Sequence, residues 1–341
     1  MKNSNSPIRV GINGAGRIGR HLIRQICNDK KFNLVLINEI NPDIKNIVYL
    51  LNHDSAYELE KKFSHKNKDI LLNNQKISVF CKKKISDINW SKYCDIVIDS
   101  SGILLNAKIA QKIKIPFFFT NVFNRYIDRY VIPNINDKKI KIKKNSNILM
   151  NICDVVATAP IINFFIKKNT IISGHITTLH PWLNYQNLSD NYTASSSMPE
   201  TYWKDYALGR SSSVNLIPKE SSLLFSLKKV LKNSVSNISC FSFRTPMPVV
   251  SSAIISFNLK NKFLKSEFVK NFINNESVKF NSENLVSSDF KKLKSACMVD
   301  LRFLKINKKM VSFPIWYDNE YGYSYQIIQS IKNILSKNYE A

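Results

Sequence analysis

The chain has 341 residues and a formal net charge of +25, from 50 Lys and Arg against 25 Asp and Glu. That length suits two domains, each able to bury its own core, and 44% hydrophobic content fits a soluble globular enzyme. No apolar run reaches membrane-spanning length, no apolar signal core precedes residue 8, and six scattered cysteines (27, 81, 94, 153, 240, 297) form neither a zinc pattern nor a disulfide scaffold.

A cytoplasmic, reducing location is therefore expected, with no membrane partner and no bound metal. Lysines recur along most of the sequence in Asn- and Ile-rich surroundings. The charge reads as a solvated surface, and nucleic acid is not expected as a partner.

The first predicted element is a strand carrying Ile8, Val10 and Ile12, which runs into Gly14, Gly16 and Gly19 at G-x-G-x-x-G spacing. Leu22, Ile23 and Ile26 follow at helical spacing. Strand, glycine turn and helix in that order form the dinucleotide fingerprint. The first glycine permits the turn, the second lets backbone approach the pyrophosphate, and the third lets helix and strand pack closely. The helix N-terminus favours phosphate.

A second strand, 34–38, ends at Glu39, an acidic residue at about the 20-residue distance where a ribose is held. A carboxylate there accepts from ribose hydroxyls and repels a 2′-phosphate, so NAD is expected over NADP. Residues 61–84 read as a lysine-rich hairpin or loop without function. Strands at Ile96–Ile98 and 116–121 end in Ser100, Ser101 and Gly102 and in Thr120. In an open α/β sheet the ligand crevice lies just beyond the carboxyl ends of strands.

From about Cys153, apolar residues through Phe165 predict a buried helix, with Pro160 expected to kink it. A cysteine at a helix N-terminus is expected to have a lowered pKa, although a lone cysteine is more often a small buried hydrophobe. Alternating runs at 249–259 and 310–317 predict a mostly antiparallel sheet, and a closing helix lies near the C-terminus.

Five stretches in order resemble the glyceraldehyde-3-phosphate dehydrogenase family: GINGAGRIGR at 11–20, CDVVATAP at 153–160, HITTLHPW at 175–182, RSSSVNLIPKESS with FRTPMPVVS at 210–251, and WYDNEYGYS at 316–324. The resemblance implies a Rossmann-type doubly wound sheet over residues 1–152, an α+β catalytic domain over 153–318, and a helix over 319–341 returning to the first domain. It implies glycolytic oxidation of an aldehyde by NAD through a cysteine thioester. Cys153 would be the nucleophile and His180, 27 residues later (180 − 153), the base stabilising its thiolate.

The cofactor would meet Gly14, Gly16, Arg17, Ile18, Gly19, Glu39, Ser101, Gly102 and Thr120, with Asn319 holding the nicotinamide carboxamide. Arg244, Ser221 and Arg210 are the substrate candidates for an anionic aldehyde, glyceraldehyde 3-phosphate first, and a homotetramer is implied.

The sequence departs from the family pattern at the anion sites. Asp154 stands where a threonine follows the nucleophile, Leu183 and Tyr185 replace two further anion ligands, and the loop at 187–209 looks about ten residues longer. Two other readings stay open. One is a related dehydrogenase acting on an aldehyde such as erythrose 4-phosphate with water as acyl acceptor. The other is a demoted homologue that binds nucleotide or RNA, with redox sensing by Cys153 a further use of the same thiol.

Overall fold

The computed structural model describes residues 6–339 except 60–61, 73–74, 123, 169–170, 194–203 and 274. The added part of the 187–209 loop therefore lies largely outside the described residues. The chain forms two compact units, one made of residues up to Asn151 together with the chain from Ile327 onward, the other of Ile152–Gln326.

The first unit is a nine-stranded sheet. Its strands are β1 (Ile8–Asn13), β2 (Phe32–Asn38), β3 (Ser64–Lys66), β4 (Asp69–Leu72), β5 (Gln75–Phe80), β6 (Ile96–Asp99), β7 (Phe117–Phe119), β8 (Arg129–Tyr130) and β9 (Asn147–Leu149). Their order is β3-β4-β5-β2-β1-β6-β7-β9-β8, parallel from β5 onward, with β3, β4 and β5 antiparallel at one edge. This is the doubly wound sheet expected from the sequence, and the lysine-rich stretch forms its edge hairpin.

Central strands read as continuous apolar runs because helices cover both faces of such a sheet; Val10, Ile12, Leu34, Val97, Phe117 and Phe118 are fully buried. Between the strands lie α1 (Arg17–Ile26), α2 (Ile44–Asn52), α3 (Trp90–Tyr93) and α4 (Asn106–Ala110). After α2, Asp54 accepts from the Ala56 N–H and faces the Arg24 guanidinium at 3.7 Å, a structural role.

A chain of buried polar side chains crosses the carboxyl ends of four neighbouring strands. Asn38 and the backbone of Lys82 bond each other in both directions, and Asn38 donates to Asn13 Oδ1 (2.8 Å). Asn13 donates to Asp99 (3.0 Å), which also accepts from Asn106 (2.8 Å) and from both the N–H and the hydroxyl of Ser101 (3.0 and 2.6 Å). Burial pushes the Asp99 carboxyl above the usual range, and these four bonds oppose that shift.

The second unit holds α5 (Cys153–Lys167), α6 (Leu223–Leu231) and α7 (Lys265–Phe272) with an eight-stranded sheet. The strands are β10 (Ile171–Pro181), β11 (Ile217–Lys219), β12 (Ile238–Thr245), β13 (Ser251–Leu259), β14 (Val278–Asn281), β15 (Cys297–Asp300), β16 (Lys305–Asn307) and β17 (Met310–Tyr317). Their order is β11-β12-β10-β13-β17-β15-β14, with β16 beside β17. Among the described residues only β10–β12 and β14–β15 pair in parallel, so the sheet is mostly antiparallel, as the alternating runs predicted.

Helix α5 continues through Pro160, where the sequence predicted a kink, and it is buried along most of its length. The last helix, α8 (Tyr321–Tyr339), begins in the second unit and ends in the first. There Asn333 donates to Asp137 (3.0 Å) and Lys332 pairs with Asp29.

Replacing Asp99 with Ala leaves several buried donors without an acceptor, so Asp99→Ala is expected to destabilise the first unit by about 2–4 kcal/mol. Urea unfolding of wild type and variant measures this, and a loss below about 1 kcal/mol would show the network to be dispensable.

Candidate active site and cofactor cradle

The glycine turn joins β1 to α1 at the centre of the first sheet. Gly14 has φ +91°, and a Cβ there would lie 2.7 Å from the Ser101 backbone; one at Gly19 would lie 2.0 Å from the Gly14 carbonyl. Both glycines are required by the packing of the protein on itself. Gly16 differs, because a Cβ there would meet nothing within 4 Å. Open space over that backbone suits a pyrophosphate.

Gly102, at φ +76°, also faces open space beyond the end of β6. Glu39 accepts from the Ala15 N–H (2.6 Å) and the Asn41 N–H (3.2 Å), which ties the acidic residue to the turn itself. Arg17, Ile18 and Gly19 form the first turn of α1.

Ser101 donates its hydroxyl to Asp99, and Thr120 donates to the Asp99 carbonyl (3.3 Å). Their hydroxyl hydrogens therefore serve the protein, and what they offer a ligand is position. Asn121, which the sequence did not single out, follows Thr120 beyond the carboxyl end of β7. It is buried, and neither polar atom of its amide has a protein partner. A buried amide requires partners, so this orphan at the strand end fits a polar ligand such as a dinucleotide.

In the second unit, neighbouring strands set five residues in one transverse row. His180 on β10 pairs in register with Arg244 on β12, which pairs with Ile217 on β11. On the other side, Ser251 on β13 lies 3.4 Å from His180 Nδ1 and pairs with Tyr317 on β17. Alternate residues of a strand share a face, so Lys219, two positions beyond Ile217, stands on the same side.

The helix α5 opens at Cys153 with Asp154 in its first turn. Asp154 accepts from its neighbour's N–H (Val155, 2.9 Å) and places its other oxygen 3.6 Å from His180 Nε2. Both side chains are buried.

The charges follow from this packing. Burial holds the His180 imidazole below its ordinary range, Asp154 opposes that shift, and Arg244 and Lys219 reinforce it. Burial also works against the Asp154 charge, but His180 and Lys219 outweigh it and keep the carboxyl below the usual range. Lys219 is itself lowered, by burial and then by Arg244. A carboxylate facing Nε2 favours the tautomer with its proton there, which leaves Nδ1 to accept from Ser251.

One expectation is overturned. The helix dipole was to lower the Cys153 pKa, yet the thiol is pushed up to about 12, first by burial and then by the Asp154 charge beside it. Arg244 acts the other way and does not win. The sulfur rests as a thiol, and His180 Nε2 faces Asp154 where an imidazolium–thiolate pair was expected.

The other candidates have these positions. Arg244 donates to the Pro181 carbonyl (3.3 Å), interacts with the half-buried Tyr185 hydroxyl, and keeps a buried Nε without a partner. Ser221 accepts from the Leu223 N–H (3.2 Å), so its hydroxyl hydrogen can still be donated. Arg210 is exposed and pairs with Asp190 at 2.8 Å, at the surface and outside the buried cluster. Asn319 is buried with its Oδ1 unpartnered.

Lys219, Ser251 and Tyr317 were not legible as site residues, because only strand register places them there. Among the described residues, no His, Cys, Asp or Glu group could hold a metal, and no helix is long and apolar enough to cross a membrane.

Doubly wound sheet and glycine cradle, followed by a separate, mostly antiparallel sheet, define a two-unit protein of the dinucleotide-binding class. The family model described as the glyceraldehyde 3-phosphate dehydrogenase NAD binding domain matches residues 8–107, and that of the same family's C-terminal domain matches residues 152–319. The chain belongs to the glyceraldehyde-3-phosphate dehydrogenase family, and its cofactor is NAD. It is 28% identical to glyceraldehyde-3-phosphate dehydrogenase 1 of Giardia intestinalis, over 97% of this chain and 99% of that protein. It is 27% identical to the glyceraldehyde-3-phosphate dehydrogenase of Buchnera aphidicola, over 97% and 99%, and 27% identical to glyceraldehyde-3-phosphate dehydrogenase 2 of Drosophila melanogaster, over 96% and 99%.

The two glycines separate cofactor binding from folding. Gly16→Ala is expected to leave the melting temperature unchanged and weaken NAD binding about tenfold or more, whereas Gly19→Ala lowers the melting temperature as well. Calorimetry and NAD titration check this; a destabilised Gly16→Ala protein would contradict it.

With a thiol at about 12, the Cys153 thiolate fraction at pH 7 is on the order of 10⁻⁵. In the protein without cofactor, iodoacetamide should alkylate Cys153 far more slowly than the exposed Cys81, gaining roughly tenfold per pH unit as the thiol ionises. Asp154→Asn should accelerate it, as read by peptide mass spectrometry. Rapid alkylation of Cys153 at neutral pH would contradict this charge assignment.

Proposed function

We propose that this chain oxidises a small anionic aldehyde with NAD through a thioester on Cys153, with glyceraldehyde 3-phosphate as the first candidate substrate. The observation that carries this reading is the cluster itself: a cysteine at the head of a buried helix, beside a carboxylate–imidazole pair and two cations. Because the thiol rests protonated, its attack on the aldehyde carbon must be coupled to loss of that proton, and the Asp154–His180 pair is the acceptor at hand. Attack forms the carbon–sulfur bond, the carbonyl oxygen takes that proton back from the pair, and the adduct on Cys153 is a thiohemiacetal.

When bound, NAD supplies the hydride acceptor whose use converts that adduct to a thioester. The protein's part is to take the hydroxyl proton on the same pair and to hold the reacting atoms in place. Arg244 and Lys219 supply positive charge for the anionic group of the aldehyde, with Ser221 as a further donor. Asn319 is the group proposed to hold the nicotinamide carboxamide, which its unpartnered Oδ1 supports.

The same reading proposes a cytoplasmic homotetramer. On the sheet face opposite the His180 row, Phe241 and Ile254 flank Thr177 in register and are 46% and 43% exposed. Exposed apolar rows of this kind mark interfaces, and sedimentation should give four times the 39.3 kDa chain mass.

Two variants test the chemistry in a spectrophotometric assay of NADH formation over phosphorylated and plain aldehydes. Cys153→Ser should lower kcat by a factor on the order of 10³ or more. Arg244→Ala should raise KM for phosphorylated aldehydes by roughly 10- to 100-fold and affect plain aldehydes less. Retention of activity in Cys153→Ser would remove the thioester from the mechanism.

A further inference from the structure

The second unit holds a cavity that none of the chemistry above uses. It lies between the end of α5, the end of β13 and the head of α7, and its volume is about 120 Å³. Its floor is apolar: Phe164 and Phe165 from α5, Leu259 from β13 and Phe263 from the connection to α7, none more than 7% exposed. Other rings brace that floor. Phe165 packs against Phe257, Phe263 and Phe268 at centroid distances of 5.2 to 5.8 Å, and Phe164 against Phe268 at 5.2 Å and Phe272 at 5.9 Å. Rings interlocked in this way do not collapse into the space, which is therefore preorganised for a ligand. Its volume is on the scale of one aromatic ring.

The mouth is polar and charged. Lys168, Asn261, Lys262 and Glu267 line it, and all four are exposed. Glu267 pairs with Lys168, whereas Lys262 has no carboxylate partner among the described residues. Two positive charges against one negative leave the lining side chains with a single positive charge. The helix ends add to it. Leu264 gives α7 no side-chain cap, so the positive end of that helix is open at the mouth, and Glu267 in its first turn is already held by Lys168. At the other side Lys167 and Lys168 close α5 and offset its negative end.

We propose that this cavity binds a small organic carboxylate whose body is one ring or a short apolar chain. The apolar body rests on the phenylalanine floor, and the carboxylate meets the Lys262 ammonium and the Asn261 amide at the mouth. The Lys168–Glu267 pair is exposed and therefore weak, so Lys168 can turn to the ligand as a second cation. An organic cation would find the same aromatic floor, but with Lys262 at the mouth and Glu267 already engaged. The proposal is independent of the Cys153 reading given above, because no lining residue belongs to that cluster.

The test titrates para-fluorobenzoate into the full chain with NAD present and follows it by fluorine NMR. The matching benzyl alcohol and benzylamine serve as neutral and cationic probes. Saturable binding of the benzoate is expected, roughly tenfold tighter than either match. Lys262→Glu should weaken it by about tenfold or more, while the melting temperature and NADH formation stay as in wild type, since this lysine is exposed and outside the catalytic cluster. Arg244→Ala should leave benzoate binding unchanged. Absence of saturable binding, or an amine that binds as tightly as the benzoate, overturns the proposal. Benzoate binding that survives Lys262→Glu overturns it too, and its loss in Arg244→Ala would place the anion in the catalytic cluster instead.

Discussion

A buried carboxylate at the head of α5, 3.6 Å from an imidazole on the neighbouring sheet, is the constraint on which the second unit's electrostatics depend. Asp154 sits in the first turn of α5, so its position is fixed by the helix and by the apolar packing that buries it. His180 is fixed independently, by pairing of β10 with β12 and β13. Bringing the two together sets the tautomer of the ring, adds to the rise of the neighbouring buried thiol, and favours the charged form of Lys219. A buried carboxylate without such partners would neutralise itself. Here Lys219 and His180 keep it charged, and that charge in turn shapes the cluster around Cys153.

The first unit solves a similar problem with neutral groups. Its strands are apolar along their length, and their carboxyl ends must turn toward a polar ligand. The Asn38–Asn13–Asp99–Asn106 chain satisfies the polar groups that this change exposes and ties three strand ends to the start of α4. Ser101 and Thr120 contribute hydroxyls to that rim. Rigidity at the rim leaves the glycine turn free to present backbone, which is the part of the cradle a pyrophosphate meets.

Much of this was legible from residues alone, and the reason differs by position. The glycine turn could be read because Gly14 and Gly19 obey a steric requirement that no other residue meets, here seen in contacts of 2.7 and 2.0 Å for an added Cβ. Sheet type was legible because burial on two faces or one leaves different periodicities. Motif and spacing singled out Cys153 and His180 as candidates, but the state of the thiol was not legible. The helix-dipole argument considered one favourable field and omitted desolvation and the adjacent carboxylate, which prevail. Lys219 was passed over as one lysine among many, and Arg210 was favoured over it, because sequence does not distinguish a lysine turned inward from one in water.

Sequence by itself determined the family, the cofactor cradle and the two sheet types, since each follows from local order along the chain. Tertiary structure alone decided which charges gather around Cys153 and His180. The Lys219, Arg244, His180 and Ser251 side chains come from four different strands, and only their register sets them around Asp154. Electrostatic energy depends on distance and burial in space, and neither quantity is written in the spacing of residues along a chain.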